Sequence, residues 1–195
     1  MIRAAILEQH LRFGSEKRSL KAIRQGRREA YEQIIFRHYE SVYRLMAYLT
    51  GDTTLAEDLT QETFASAWAK IDDFKAKASI KTWLHRIAYN KFIDSKRIST
   101  RRADLIASQH PIGSDSDRTS SPPEQSINDE HTRILYQALD KLQLPDYIVI
   151  VLHYIGSLSF REMAVVLDKP VGTVKWQTSR ALSELAAILN GRIQQ

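Results

Sequence analysis

From residue 103 to 128 the chain carries no aromatic residue, and Gly113-Ser-Asp-Ser-Asp-Arg-Thr-Ser-Ser-Pro-Pro123 is a low-complexity polar run. Such a stretch buries too little apolar surface to offset the entropy of ordering it, so it reads as a flexible linker. A chain of 195 residues is thereby divided into two pieces, 19–102 and 129–195, each the size of a small domain. Residues 1–18 form an N-terminal extension to which no role is assigned.

Both pieces read as helical. Glycine is scarce, and apolar residues recur at three-and-four spacing. Tyr31, Ile34, Ile35, His38, Tyr39, Val42, Leu45, Met46 and Leu49 make one continuous stripe, with Gly26 a candidate break and Gly51 a stop signal. Thr54-Leu-Ala-Glu57 reads as a capping box opening a helix through Leu59, Phe64, Ala67 and Trp68. After a short connection, Ser79 is a cap candidate for a helix carrying Ile80, Trp83, Leu84, Ile87, Ala88 and Phe92. Beyond the linker, Ile134 to Leu142 and Tyr147 to Tyr154 mark two helices. Ser159-Phe-Arg-Glu162 is a second capping box, Asp168 to Gly172 a turn, and Thr173 to about Leu189 a long last helix. The expected fold is all-α: two small helical domains, the second a helix-turn-helix.

Several classes of function drop out. There is no cysteine, which excludes disulfides and thiolate metal sites and suits a reducing cytoplasm. The start lacks the apolar core of a signal peptide, and no run nears the roughly 20 apolar residues that cross a bilayer. A cytoplasmic protein without membrane insertion is expected. The six histidines (His10, His38, His85, His110, His131, His153) are scattered, and no Gly-rich loop cradles phosphate. We therefore expect no enzyme, metal or cofactor.

Charge is uneven. The net charge is +5, but Lys70 to Arg102 holds ten Lys or Arg against Asp72, Asp73 and Asp94. Asp52 to Glu62 is acidic, with Asp52, Glu57, Asp58 and Glu62 and no basic residue. One face for a polyanion and another for a basic partner is a reasonable reading, beside that of an ordinary solvated surface. In the last segment, Ala164 is small enough for two helices to cross closely, and Asp168 tolerates a left-handed backbone at the turn. Val174 then packs inward, leaving Lys175, Trp176, Ser179 and Arg180 on a side able to face a major groove. A plain helical hairpin with the same core positions fits this pattern too.

Leu158-Ser-Phe-Arg-Glu-Met-Ala164 followed by Pro170-Val-Gly-Thr-Val-Lys175 and Arg180-Ala181 resembles the −35 reading domain of extracytoplasmic-function sigma factors. Ala56-Glu-Asp-Leu-Thr-Gln-Glu-Thr-Phe64 is similar to the core-binding signature of the same family, and Thr82-Trp-Leu-His-Arg-Ile-Ala-Tyr-Asn90 with Asp94 to its −10 reading signature. The resemblance implies a promoter-recognition subunit serving a stress or envelope-response regulon. It also implies core RNA polymerase (largest-subunit clamp helices and flap), promoter DNA and an anti-sigma factor as partners, and association with the nucleoid. Asp58, Gln61, Glu62 and Phe64 are implied as polymerase contacts, although Leu59 and Phe64 fit core positions equally well. Lys75, Lys77, Ser79, Lys81, Trp83, Arg86, Tyr89, Asn90 and Arg97 are implied at the −10 element. There cations meet phosphate, Asn pairs with a base edge and aromatics stack on unpaired bases; Trp83 reads as core as well. Ser159, Arg161, Thr173, Lys175, Trp176, Ser179 and Arg180 are implied at the −35 element.

The sequence departs from the family at a few places. Ala76 and Lys77 stand where Gly and an acidic residue are usual, and the apolar Tyr147-Ile-Val-Ile-Val151 covers a position usually basic. Trp176 and Gln177 replace Ser or Thr and an Arg, so one phosphate or base contact is expected to be missing. The alternative of a one-component helix-turn-helix regulator leaves the two N-terminal signatures unexplained, and a non-DNA helical adaptor leaves all of them so.

Overall fold

The first long helix, α1 (Arg28–Thr50), turns Tyr31, Ile34, His38, Val42, Leu45, Met46 and Leu49 inward. It stops at Gly51, whose left-handed backbone (φ 68°) lets its N–H bond to the Ala47 carbonyl. The computed structural model describes residues 20–193 apart from 24, 26 and 110–129, and of 103–109, 130–132 and 192–193 the backbone alone. The N-terminal extension, Gly26 and most of the expected linker thus lie outside the described residues.

Helix α2 (Thr53–Ala69) starts earlier than the Thr54–Glu57 capping box would have it. Asp52 is the cap, and its carboxylate accepts from the N–H groups of Thr54 (2.8 Å) and Leu55 (3.1 Å). An anion at a helix N-terminus satisfies orphan donors and meets the positive end of the dipole, so it outcompetes a hydroxyl two residues later. Thr60 and Thr63, fully buried, donate to the carbonyls of Ala56 and Leu59, which makes them compatible with the core. A single 3-10 turn, Ile71–Asp73, leads to α3 (Ile80–Gln109), whose first turn is held by Ser79 accepting from Thr82 N–H at 3.1 Å. The helix continues past residue 102, through what the polar composition suggested was already linker.

The second group begins with α4 (Glu130–Leu139) and α5 (Leu144–Ile150), with Pro145 in the first turn of α5 where no N–H is needed. One wider turn, Val151–Ile155, follows, and the Gly156 N–H reaches back five residues to the Val151 carbonyl. A Cβ at Gly156 would lie 2.6 Å from the Leu152 carbonyl oxygen, so only glycine fits this close pass. Helix α6 (Phe160–Leu167) carries the full Ser159/Glu162 capping box and ends at Asp168 in the left-handed region (φ 54°, ψ 47°), as expected for the turn. Helix α7 (Val171–Ile193) closes the chain. No strand occurs among the described residues.

Helices α1, α2 and α3 pack together, as do α5, α6 and α7. Leu45, Met46, Leu84 and Phe92 are almost wholly buried in the first group, and Leu152, Leu158, Met163 and Val174 in the second. Each large apolar side chain taken from water contributes about 1.5–3 kcal/mol, so each group has a core of its own. The two cores are in contact. Helix α3 meets α6, and α1 meets the turn after α5. The Tyr147 hydroxyl donates to the Tyr48 carbonyl, Tyr48 and Tyr136 share a 2.9 Å hydroxyl bond, and Lys81 Nζ donates to the Ser157 carbonyl at 3.2 Å. The units therefore lie docked, where the linker reading alone suggested independent bodies.

Candidate polymerase and promoter surfaces

On α2, Asp58, Gln61 and Glu62 face solvent, flanked by the buried Leu59, Thr60 and Thr63. Glu62 is partly engaged: its carboxylate meets Lys91 Nζ of α3 at 2.9 Å. Exposed pairs of this kind contribute at most about 1 kcal/mol, so Glu62 stays available to a stronger basic partner. Phe64 does not join this surface. It is buried, stacked on Tyr39 at 6.1 Å between centroids, and its carbonyl accepts from the Tyr31 hydroxyl. The reason is helical spacing: Phe64 lies on the side of Thr60 and Ala67. Trp68 takes the exposed aromatic place instead, 43% exposed with its ring 4.7 Å from Tyr31. The sequence carried that signal, since 58, 61, 65 and 68 follow one another at three-and-four spacing. Phe36 on α1, 91% exposed, is a second missed aromatic; it falls off the 34–38–42–45 stripe.

The basic stretch divides in two. Lys75, Lys77, Arg86, Asn90 and Arg97 are exposed, four cations and one amide along the connection and one side of α3. Lys81, Trp83 and Tyr89 are half-buried, with Trp83 packed on Phe74 at 4.7 Å. Burial raises the Tyr89 pKa, with the Arg97 charge opposing it. Ser79 is occupied as the helix cap. Its hydroxyl also lies 2.9 Å from that of Thr82, and Thr82 in turn donates to Glu162 Oε1 at 3.1 Å. Since a carboxylate only accepts, the proton order along this chain is Ser79 to Thr82 to Glu162. Glu162 Oε2 meanwhile accepts from the Ser159 N–H and hydroxyl, so one carboxylate ties together the N-termini of α3 and α6. Burial would raise the Glu162 pKa, but the Ser159 and Thr82 hydrogen bonds and the Lys81 charge leave it lowered.

Behind this junction sits His85, fully buried. Its Nδ1 is 2.8 Å from the Lys81 carbonyl and its Nε2 3.3 Å from Ser41 Oγ. A carbonyl only accepts, so the proton is on Nδ1 and Ser41 donates to Nε2. Burial depresses the pKa to about 4; the Lys81 carbonyl opposes this, Lys81 and His38 charges add to it, and Glu162 resists it. The exposed Arg86 and Asp168 carboxylate lie 3.9 Å apart across the units.

On α6 and α7, Arg161, Thr173, Lys175, Trp176 and Ser179 are exposed, and Ser159 is the cap of α6. Val174 is fully buried between the helices, as the helix-turn-helix pattern requires. Two residues depart from expectation. Gln177 is buried, its amide donating to the Pro145 carbonyl at 2.8 Å and accepting from Lys169 at 3.2 Å. It is an anchor for α7. Arg180 holds Asp146 through both carboxylate oxygens, at 2.6 and 2.7 Å, and Asp146 is 1% exposed. Its guanidinium carbon lies 5.0 Å from the Trp176 ring centroid. The Asp146 hydrogen bond raises the guanidinium pKa further, so Arg180 is a permanently charged strut. Among the described residues, no group of three or more His, Asp or Glu could hold a metal, and no helix is long and apolar enough to cross a membrane.

Comparison with known proteins matches both units. A family model described as sigma-70 region 2 matches residues 34–102, and one described as sigma-70 region 4 matches 132–185. The ECF RNA polymerase sigma factor SigW of Bacillus subtilis is 32% identical over 179 residues, which span 87% of this chain and 94% of SigW. The sigma factor RpoE of Bartonella quintana, solved in complex with the anti-sigma factor NepR, is similar at a TM-score of 0.67 and 25% identity. That match covers 82% of this chain and 96% of RpoE. CnrH, solved with the cytosolic domain of CnrY, has the same fold at a TM-score of 0.65 and 24% identity, covering 91% of this chain and 98% of CnrH.

Proposed function

Because this chain belongs to the extracytoplasmic-function sigma factors of the sigma-70 family, we propose that its two helical units divide promoter reading between them. It is an RNA polymerase sigma factor, which directs core polymerase to promoters and allows transcription to start. In our reading Asp58, Gln61, Glu62 and the newly recognised Trp68 dock on basic clamp helices of the polymerase. Lys75, Lys77, Arg86, Asn90 and Arg97 hold the −10 strands, with Tyr89 and Trp83 offering stacking surface once the units part. Thr173, Lys175, Trp176 and Ser179, with Arg161 beside them, enter the −35 major groove. Strand opening then draws on binding energy, because cations and stacking aromatics favour the separated strand. An anti-sigma factor, of the kind NepR is for RpoE, completes the set of partners, and the working location is the nucleoid.

The observation that supports this most is α7: Thr173, Lys175, Trp176 and Ser179 stand in solvent, whereas Val174, Gln177, Thr178 and Ala181 are buried. One face of the helix is spent on the fold and the other is left for a groove. The test is transcription in vitro with core polymerase on a randomised promoter library. Enrichment of two separated elements, dependent on core, is expected. Tight sequence-specific duplex binding by the chain alone would favour a core-independent regulator instead.

A further inference from the structure

Trp176 is the largest apolar side chain on the exposed face of α7, 62% exposed and flanked by Thr173, Lys175 and Ser179. An indole left mostly in water gains little from burial on folding, which leaves most of its apolar surface free for a ligand. Nor is it loose. Arg180 lies over the ring, and Arg180 is itself locked by two short bonds to a carboxylate that is buried. Gln177 Nε2, donating to Pro145, comes within 3.5 Å of the same carboxylate, so Asp146 is held from two sides. The series Asp146–Arg180–Trp176 runs from the core of the second unit to its surface and presents an indole whose rotamer freedom is already restricted. A pre-ordered apolar group loses less entropy on binding than a mobile one.

We propose that Trp176 reads a thymine in the −35 element by packing on its C5 methyl, with Arg180 as the residue that positions the ring. This rests on the reading of α6 and α7 as the −35 recognition unit, and it names the base. The major groove offers apolar contact at thymine only, since guanine, cytosine and adenine present hydrogen-bonding edges there. Thymine also places its O4 acceptor beside the methyl, which suits a ring whose one polar group is an N–H donor. A phosphate contact by the indole N–H would show no base preference.

The experiment uses holoenzyme, the full chain with core polymerase. A −35 sequence is first selected from a randomised duplex library, and each thymine in it is then replaced by deoxyuridine, which removes the methyl and nothing else. At one position, uracil should weaken the wild-type complex about four-fold, the factor expected for one buried methyl-sized group. Trp176→Ala should bind thymine and uracil alike there, Trp176→Phe should keep the discrimination, and Arg180→Lys should narrow it while preserving the charge opposite Asp146. Trp176 is exposed, so unchanged thermal melting of the alanine variant establishes that folding is intact. Equal thymine-to-uracil ratios in wild type and Trp176→Ala overturn the proposal, and an unchanged ratio in Arg180→Lys overturns the positioning role. If the library yields no enriched −35 sequence at all, the recognition-unit reading fails first; an enriched element without a methyl-sensitive position sinks the thymine assignment alone.

Discussion

Arg180 sits on the proposed recognition helix, carries a full charge and is half in solvent, yet its Nη2 donates to both carboxylate oxygens of Asp146. Removing it strands a carboxylate in a nearly closed environment, which costs more than the pair contributes when intact. Arg180→Ala should therefore lower the thermal midpoint of the second unit, and adding Asp146→Asn should recover part of the loss. Equal midpoints for wild type and Arg180→Ala would mean the pair is idle. Ala76 offers the opposite case. Its backbone is left-handed (φ 52°), a region where a Cβ is disfavoured. Ala76→Gly should stabilise the protein by about 0.5–1 kcal/mol, read as a higher urea midpoint at constant slope.

The helix α2 serves two ends along its length. Ala56, Leu59, Thr60, Thr63, Phe64 and Ala67 close the core, and Asp58, Gln61 and Trp68 are left outside. Interfaces concentrate their free energy in a few desolvated aromatics ringed by polar residues, and Trp68, about two turns along the same face from Gln61, has that composition. Trp68→Ala should weaken core polymerase binding about ten-fold or more, the effect of a loss above 1.4 kcal/mol. Gln61→Ala with Glu62→Arg should also weaken it, since the reversal places a cation against a basic partner. Both variants should retain their helical circular dichroism; wild-type affinity in a fluorescence titration against core would reject this surface. On α7 the same economy holds, with Gln177 spent inward on Pro145 and Trp176 outward.

At the scale of the whole molecule, the junction of the two units is the pH-sensitive part. His85 faces Lys81, His38, Ser41 and Glu162, and burial holds its pKa near 4 in place of 6.5. The unfolded chain takes up that proton as pH falls below 6.5, whereas the folded chain refuses it until about 4. Stability should thus decline across that window by roughly 3 kcal/mol and then level off. Glu162 acts in the same direction lower down: its pKa is depressed, so the stability it contributes at neutral pH is lost as pH falls through its folded value. Denaturation of wild type and His85→Gln at pH 7, 5.5 and 4.5 checks this. The variant should lose the slope above pH 4.5; identical pH profiles would show that His85 is not the group responsible. Small-angle scattering below pH 4.5, where Glu162 takes up its proton, should register expansion as the bond from Thr82 to its carboxylate is lost.

Much of this molecule is written locally. The helices, the Ser79 and Ser159 caps, the Gly51 stop and the left-handed Asp168 depend on neighbours within four residues, so spacing and side-chain type are enough to find them. The family signatures are equally local, and they carried the function. Where local signals compete, the sequence was ambiguous: Asp52 prevailed over Thr54 because a carboxylate meets the helix dipole better than a hydroxyl. Phe64 faces inward with Thr60 and Ala67 and Trp68 outward with Asp58 and Gln61, a split that helical spacing already carried and that packing against Tyr39 and Tyr31 completes. The ends of charged side chains were beyond reach altogether. Arg180 meets Asp146 across 34 residues and Thr82 meets Glu162 across 80, and no periodicity encodes such pairs. The residue types along one chain determined which helices form; which polar groups those helices spend on each other, and which remain for polymerase and DNA, was decided by how the helices packed within each unit and across the two.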